Sequence, residues 1–523
     1  MTEFVHDLIA ASATRAPESV ALVHERSALR YAELFDNVQR FSHGVLAMGL
    51  KRSERVAIYL EKRHEAVIAM FGAAAAGGVY VPVNPLLKPE QVAHILNDCN
   101  VRVLVTSGER LLLLKESLSH CADLRLVVIA GDQGKARIPR VIDWESLLQS
   151  SEQTPHRVID GDMAAILYTS GSTGKPKGVV LSHRNIVAGA KSVAEYLENH
   201  CGDRILAVLP LSFDYGMSQL TTAFLTGACA ILINYLLPRD IIMAAQREKI
   251  TGLAAVPPLW IQLAQLNWPD GMDDHLRYIT NSGGKMPLPT LQALRRALPK
   301  TRPYLMYGLT EAFRSTYLPP SEIDRRPESM GKAIPNAEVL VVRENGTPCA
   351  PGEPGELVHR GTLVSLGYWN DTEKTAERFK PAPNQPSGLM IPEIAVWSGD
   401  TVKMDEDGFL YFVSRRDEMI KTSAYRVSPT EIEEVIYSTE IVAEAAAFGV
   451  PHATLGQAIV VIAAAKPGKQ LDSEMVLSEC KKRLPAFMVP LRVYIRAGNL
   501  PRNANGKIDR KRLASELQNL FQS

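Results

Sequence analysis

The chain reads as an α/β protein: a large N-terminal domain of layered sheets and helices with a β-rich subdomain, then a small α+β C-terminal domain. Three observations carry this reading. A chain of 523 residues exceeds one comfortable hydrophobic core, so two or more domains are expected. Over residues 1–160, strand-like and helix-like patterns alternate, as in a parallel sheet covered by helices. From about Ala337 to Tyr411 the pattern changes to short strands broken by Pro and Gly, and a compact unit follows Ser414-Arg-Arg-Asp417. The expected boundaries are 1–416 and 417–523.

In chain order, Tyr31-Ala-Glu-Leu34 opens a helix, and Arg55–Tyr59, Val101–Thr106 and Leu124–Ile129 read as strands. The run Ala66–Val83 carries no charge, but Gly77-Gly78 interrupts it and Val79–Val83 has strand character. A buried helix, a Gly turn and a strand account for it better than a bilayer helix, which needs ~20 strongly apolar residues. Met163–Leu167, Ile205–Pro210, Gly227–Ile233, Gly252–Val256, Tyr278–Asn281 and Tyr304–Tyr307 are further strand candidates. Several end in polar turns, where open α/β sheets place ligands. The terminal unit is expected to hold a helix from Pro429, strands at 442–450 and 458–465, a helix around 475–483 and a last helix from Lys511.

Composition narrows the function classes. Apolar content of 46%, charged content of 22% and a net charge of +1 describe an ordinary globular protein with no basic stripe for nucleic acid. Cys99, Cys121, Cys201, Cys229, Cys349 and Cys480 show no CxxC or metal-ligand spacing and read as reduced thiols of a cytoplasmic protein. The N-terminus lacks the basic region of a signal peptide.

Tyr168-Thr-Ser-Gly-Ser-Thr-Gly-Lys-Pro-Lys-Gly-Val179 stands out. It follows the Met163–Leu167 strand and leads through Ser182, a candidate N-cap, to helical spacing at Ile186, Val187, Ala190, Val193, Ala194 and Leu197. Glycines let backbone approach a ligand, N–H groups and hydroxyls donate to oxygens, and lysines offset charge, so a strand-to-helix loop of this kind suits a polyphosphate. Lys175 is followed by Pro176, which excludes a Walker A loop. An isolated Gly/Ser/Thr cluster would more often be a surface loop.

The whole string resembles the signature loop of the adenylate-forming (AMP-binding) superfamily, which includes acyl-CoA synthetases and amino-acid-activating domains. Other strings resemble the same superfamily in the same order. The resemblance implies that Thr169, Ser170, Gly171, Ser172, Thr173, Gly174 and Lys175 hold the phosphates of ATP, and that Ser282, Gly283 and Gly284 border adenine. In Tyr307-Gly-Leu-Thr-Glu311 it implies that Tyr307 stacks on adenine, Thr310 meets the α-phosphate and Glu311 holds Mg²⁺. Without that context Glu311 would be an ordinary solvated loop residue. Asp400 of Trp397-Ser-Gly-Asp400 would bind the ribose hydroxyls, with Arg415 beside it and Asp417 as hinge. Lys507 in Asn505-Gly-Lys-Ile-Asp509 matches the lysine that bridges the attacking carboxylate and the α-phosphate. By itself it would be a surface lysine after a turn. The C-terminal domain would be a mobile lid that brings Lys507 in, then rotates to present a second face to a pantetheine thiol.

The sequence departs from acyl-CoA synthetases after Leu209-Pro-Leu, where Phe213 replaces an expected His. Asp214 instead matches amino-acid-activating domains, whose Asp pairs with the substrate ammonium, and Phe213, Asp214, Ser218 and Arg314 would line the acyl pocket. Asp214 could alternatively cap a helix. Arg314 could pair with Asp214 or read a second polar group on the substrate. Ala424 stands where the family has Gly in the pantetheine channel, while Arg426 matches. The expected reaction is AMP-forming acid–thiol ligation, with an amino-acid-like acid loaded onto a carrier-protein phosphopantetheine ahead of a fatty or aryl acid joined to CoA. A kinase-like phosphotransferase releasing ADP, or a catalytically silent homologue, are the readings from other classes.

Overall fold

The charge-free run from Ala66 is a buried helix, His64–Ala75, followed by a left-handed Gly77 (φ +81°) and a buried strand, Val79–Pro82. The computed structural model describes residues 2–521 apart from 132–140, 170–175, 387, 389, 416–417, 423–424, 453–454, 485 and 504–505, and the backbone alone at 415, 421, 425, 426 and 487. Among the described residues, no helix is long and apolar enough to cross a membrane.

Two large sheets form the N-terminal part. The seven-stranded sheet is centred on Val101–Thr106, Arg55–Tyr59, Val79–Pro82 and Met163–Thr169, paired in parallel. The nine-stranded sheet has a parallel centre of Cys229–Leu232, Arg204–Ala207, Gly252–Ala255, Tyr278–Asn281 and Arg302–Tyr307, with antiparallel additions at both edges. One continuous apolar core runs from Val56, Ile58 and Val103 of the first sheet to Leu206, Leu253 and Ile279 of the second. Burial on both faces explains the near-continuous apolar strands. The β-rich region is a five-stranded antiparallel sheet built from Ala337–Val342, Gly355–Gly361, Phe379–Pro381, Ile394–Met404 and Leu410–Arg415.

The small C-terminal part is a second five-stranded sheet, from Ile420–Thr422 to Arg492–Ile495, with helices Pro429–Tyr437, Ser473–Arg483 and Arg510–Glu516. Its own apolar core includes Ile432, Ile436, Val461 and Val476. The expected elements from Pro429 onward are all present, with ends moved by a residue or two.

One expectation about connectivity is corrected. The Gly/Ser/Thr string does not join a strand to a helix. Lys177–Ser182 forms an antiparallel strand against Met163–Thr169, so the string links two strands of a hairpin. The helix His183–Tyr196 begins only after that strand. Ser182 is its N-cap and accepts from the Asn185 N–H at 3.1 Å, as the spacing predicts.

The helix Asp214–Thr226 spans the space between the two large sheets, and its residues 214–224 are buried. Tyr80 of one sheet reaches the Met217 sulfur at 3.1 Å, and Tyr215 hydrogen-bonds Thr280 of the other at 2.5 Å. Buried all round, it lacks the amphipathic period that marks surface helices. Its first turn presses on the preceding chain: a Cβ on Gly216 would lie 2.0 Å from the Pro210 carbonyl oxygen. Gly216→Ala is therefore expected to destabilise the large domain by about 1–3 kcal/mol, read as a lower urea midpoint. An unchanged midpoint would contradict this packing.

Candidate active site

The site forms where strand ends of the nine-stranded sheet meet the antiparallel sheet and the C-terminal part. Tyr278–Asn281 ends in the turn Ser282-Gly283-Gly284, where Asn281 Nδ2 donates to the Gly284 carbonyl at 2.9 Å. Gly283 is left-handed (φ +81°), and a Cβ there would lie 3.2 Å from Lys507 Cε and 3.8 Å from its Nζ. The backbone conformation favours glycine at 283, and a Cβ there would also crowd the arriving lysine. Residue 507, more than two hundred positions away in sequence, is brought to this turn.

The loop that carries Lys507 is built to hold it. Lys507 N–H donates to Asn503 Oδ1 at 3.1 Å and the Asn503 N–H to the Lys507 carbonyl at 2.8 Å, closing a tight turn. Arg502 ties that turn to the strand Val442–His452 through a salt bridge to the buried Glu444, which also accepts from the Leu500 N–H at 2.6 Å. Arg502 Nη1 further donates to the Gly506 carbonyl at 2.9 Å. Lys285 and Glu434 form a salt bridge across the seam between the two parts.

Arg302–Tyr307 ends beside the same turn. Tyr307 donates to Asp400 Oδ2 at 2.5 Å, joining the strand end to the antiparallel sheet. Asp400 is buried, and its backbone register partner is Arg415. Glu311 Oε1 accepts from the Tyr368 hydroxyl at 2.6 Å, and Lys177 lies over the Tyr368 ring at 5.6 Å. Thr169, Glu311, Tyr368, Asp400 and Asn503 border a cleft of about 1380 Å³ between the two parts. A left-handed glycine cradle, a buried carboxylate beside a tyrosine and a cleft with lysines at its edge fit a nucleotide with its phosphates.

Asp214 and Arg314 answer the question that sequence leaves open. They pair with each other, Arg314 Nη1 donating to Asp214 Oδ2 at 3.0 Å, with side chains only 2% and 4% exposed for Arg314 and Asp214. Asp214 is the first residue of its helix, with Phe213 as N-cap, and its carboxylate also takes a backbone hydrogen bond from Tyr215 in the first turn, so it serves the helix start as well as Arg314. Thr310 Oγ1 approaches Asp214 Oδ1 at 3.4 Å. Burial pushes the Asp214 carboxyl up, against the pull of Arg314 and then of Lys507. An ammonium entering here would meet a carboxylate already matched by Arg314, which removes the main support for an amino-acid substrate.

Arg314 reaches Asp214 through a strained backbone. Phe313 has φ +54° and ψ −46°, and the Arg314 N–H bonds the Ala312 carbonyl at 2.6 Å. This is the rare positive-φ γ-turn, costing about 1–3 kcal/mol. The Phe313 ring sits against Gly189, where a Cβ would come within 2.3 Å of it. The guanidinium lies 4.7 Å from the centre of the Tyr215 ring. Among the described residues, Nε and Nη2 of Arg314 and the hydroxyls of the buried Ser218 and Thr222 have no hydrogen-bond partner. Leaving such groups unmatched costs about 1–3 kcal/mol each.

The sequence-predicted residues Thr169, Phe213, Asp214, Ser218, Ser282, Gly283, Gly284, Tyr307, Thr310, Glu311, Arg314, Asp400 and Lys507 are all described. Ser170, Gly171, Ser172, Thr173, Gly174, Lys175, Asp417 and Ala424 lie outside the described residues, as do the side chains of Arg415 and Arg426. Sequence reading missed Tyr368, the Glu444–Arg502 anchor, the Phe313 turn and Thr222. Thr222 repeats the Asp214–Ser218 spacing, a hint available in the helix sequence.

This fold and these motifs define an adenylate-forming enzyme. The chain belongs to the AMP-binding enzyme family, matching it over residues 9–369 and matching the AMP-binding enzyme C-terminal domain over residues 431–507. It is thus a member of the AMP-forming ligases. It is 29% identical to a long-chain-fatty-acid–CoA ligase of Salmonella typhimurium, covering 98% of this chain and 94% of that protein. It is 29% identical to tyrocidine synthase 3 of Brevibacillus parabrevis over 98% of its own length, but spans only 8% of that protein. Among solved structures, o-succinylbenzoate CoA synthetase of Bacillus subtilis, in complex with an acyl-adenylate, superposes with TM-score 0.82 at 27% identity, covering 97% of each chain. The anthranilate CoA ligase AuaEII shares the fold, with TM-score 0.88 at 22% identity and coverage of 99% and 98%.

Because Asp214 and Arg314 form a desolvated pair, removing one partner strands a buried charge. Arg314→Met is expected to destabilise the large domain by about 3–5 kcal/mol, and adding Asp214→Leu is expected to restore a large part of that loss. Additive losses in guanidinium unfolding would show that the two residues are not coupled.

Proposed function

We propose that this chain is an acid–thiol ligase: it joins a carboxylic acid to the α-phosphate of ATP, releasing pyrophosphate, and passes the acyl group to a phosphopantetheine thiol, releasing AMP. The observation that supports this most is the ammonium of Lys507 at the Gly283 turn. Carboxylate and α-phosphate are both anionic, and the transition state between them concentrates charge further. An ammonium held in a dry site stabilises that charge selectively.

In this reading the glycine turn 282–284 and Tyr307 border adenine, and Asp400 with Arg415 holds the ribose. Thr169, the loop 170–175 and Thr310 hold the phosphates. Glu311 is the residue for Mg²⁺, which when bound offsets phosphate charge. One protein carboxylate plus phosphate oxygens is a usual Mg²⁺ environment. Asp417 marks the hinge between the domains 1–416 and 417–523, and rotation there withdraws Lys507 and brings the loop containing Arg426 toward the thiol.

For the acyl group, a simple amino acid recedes because Asp214 is engaged by Arg314. The acceptor is proposed as a phosphopantetheine arm, on CoA or a carrier protein. The long-chain-fatty-acid–CoA ligase relative supports the first and the tyrocidine synthase relative the second. The experiment separates the half-reactions. Lys507→Ala is expected to slow pyrophosphate exchange by about 10²–10³-fold or more while thioester formation from supplied acyl-adenylate stays largely intact. Equal loss of both halves would contradict the assignment.

A further inference from the structure

Glu311 is held twice by one short segment of chain. The Ser365 N–H donates to the Glu311 carbonyl at 2.8 Å, and the Tyr368 hydroxyl donates to Glu311 Oε1 at 2.6 Å. The same segment runs antiparallel to the hairpin strand Lys177–Ser182, with Tyr368 paired to Val179. There the Leu366 N–H donates to the Val180 carbonyl at 2.8 Å, the Val180 N–H to the Gly367 carbonyl at 2.9 Å, and the Trp369 N–H to the Gly178 carbonyl at 2.7 Å. Its far end is fastened to the other large sheet's helices: Trp369 Nε1 and Asn370 Nδ2 donate to the Asp98 carbonyl at 2.9 and 2.7 Å. Residues 365–369 thus join the loop that carries Glu311 to the strand that leaves the Gly/Ser/Thr string.

The hydroxyl contact bears on how Glu311 meets a cation. The last torsion of a glutamate is broad, and a donor on one carboxylate oxygen narrows it. In Glu311, Oε1 is spent on Tyr368, Oε2 accepts no hydrogen bond from the described residues, and both side chains border the cleft. The donor is also neutral. A lysine or arginine on Oε1 would cancel the charge that draws a cation, whereas a phenol orients the carboxylate and leaves its charge in place. Lys177 is kept to the face of the Tyr368 ring, 5.6 Å from its centre, and Phe379 braces that ring edge-on at 5.7 Å. The Tyr368 N–H is itself fixed, donating to Thr375 Oγ1 at 3.0 Å. Taking the ligase reading as its basis, we propose that Tyr368 is a positioning residue: its hydroxyl holds one oxygen of Glu311 so that the other is presented to a divalent cation bound with the triphosphate. Tyr368 touches neither the cation nor the reacting atoms in this proposal, and acts through Glu311.

The test uses the full chain, Mn²⁺ as the cation, and an ATP analogue with a methylene between the α- and β-phosphorus atoms. Free Mn²⁺ is read by electron paramagnetic resonance. Tyr368→Phe keeps the ring and removes only the hydroxyl, and its unfolding midpoint shows that it is folded. It is expected to weaken Mn²⁺ binding to the complex of chain and nucleotide by about 10-fold or more, the usual cost of losing a partner that orients a metal ligand. Binding of the nucleotide without metal is expected to hold at the parent value. In pyrophosphate exchange, the Mg²⁺ concentration that gives half the maximal rate is expected to rise by a similar factor. In a Glu311→Gln background the same substitution is expected to weaken Mn²⁺ binding no further, because the hydroxyl acts through that carboxylate. Parent-level Mn²⁺ binding by folded Tyr368→Phe overturns the proposal, and so does an equal further loss in the Glu311→Gln background. A parent chain that exchanges pyrophosphate with no carboxylic acid, while Mn²⁺ binding responds as expected, overturns instead the ligase reading.

Discussion

In the proposed reaction two anions have to be brought into contact, and the Lys507 ammonium is the group proposed to make that contact possible. Lys507 belongs to the small C-terminal part, yet it lies against a glycine turn of the large part, its Cε 3.2 Å from where a Cβ on residue 283 would stand. Its placement depends on the Arg502–Glu444 salt bridge, which fastens its loop to the small sheet, and on the Lys285–Glu434 bridge across the seam. In the proposed cycle, a charge carried by the C-terminal part is available while that part is docked and removed when it rotates away. That makes it suited to a reaction whose second half needs the same space for a thiol.

The second constraint is the electrostatic neutrality of the buried Asp214–Arg314 pair. Asp214 and Arg314 sit between the sheets with almost no water contact, where an unpaired charge is costly. The pair also links two motifs: Asp214 opens the helix that crosses the core, and Arg314 closely follows the Tyr307–Glu311 loop. A γ-turn at Phe313 is the local cost of that link, and strain of this kind persists where surrounding structure over-determines it.

Much of this was legible in the residues. Alternating strands, the β-rich interval and the terminal unit follow from periodicity and turn chemistry, and Gly77 marks the break between helix and strand in an apolar run. The strings that resemble the family come in order along the chain, and the structure gathers Thr169, Glu311 and Asp400 from them around one cleft. What stayed hidden has physical reasons. The strand Lys177–Ser182 begins with Lys and Gly, poor strand formers, so the loop before it read as leading to a helix. The helix Asp214–Thr226 is buried on all sides and shows no period. Asp214 and Arg314 are a hundred residues apart, and only the order of strands in the nine-stranded sheet decides that they meet. The positive φ at Phe313 is invisible in a residue that ordinarily avoids it.

The central claim is that a carboxylate oxygen attacks the α-phosphorus beside Lys507. It is tested most directly by following that oxygen. With the substrate acid labelled with ¹⁸O in both carboxylate positions, one complete turnover in the presence of a pantetheine thiol should leave one labelled oxygen in AMP and one in the thioester. Label in inorganic phosphate, with ADP as the nucleotide product, would contradict the account.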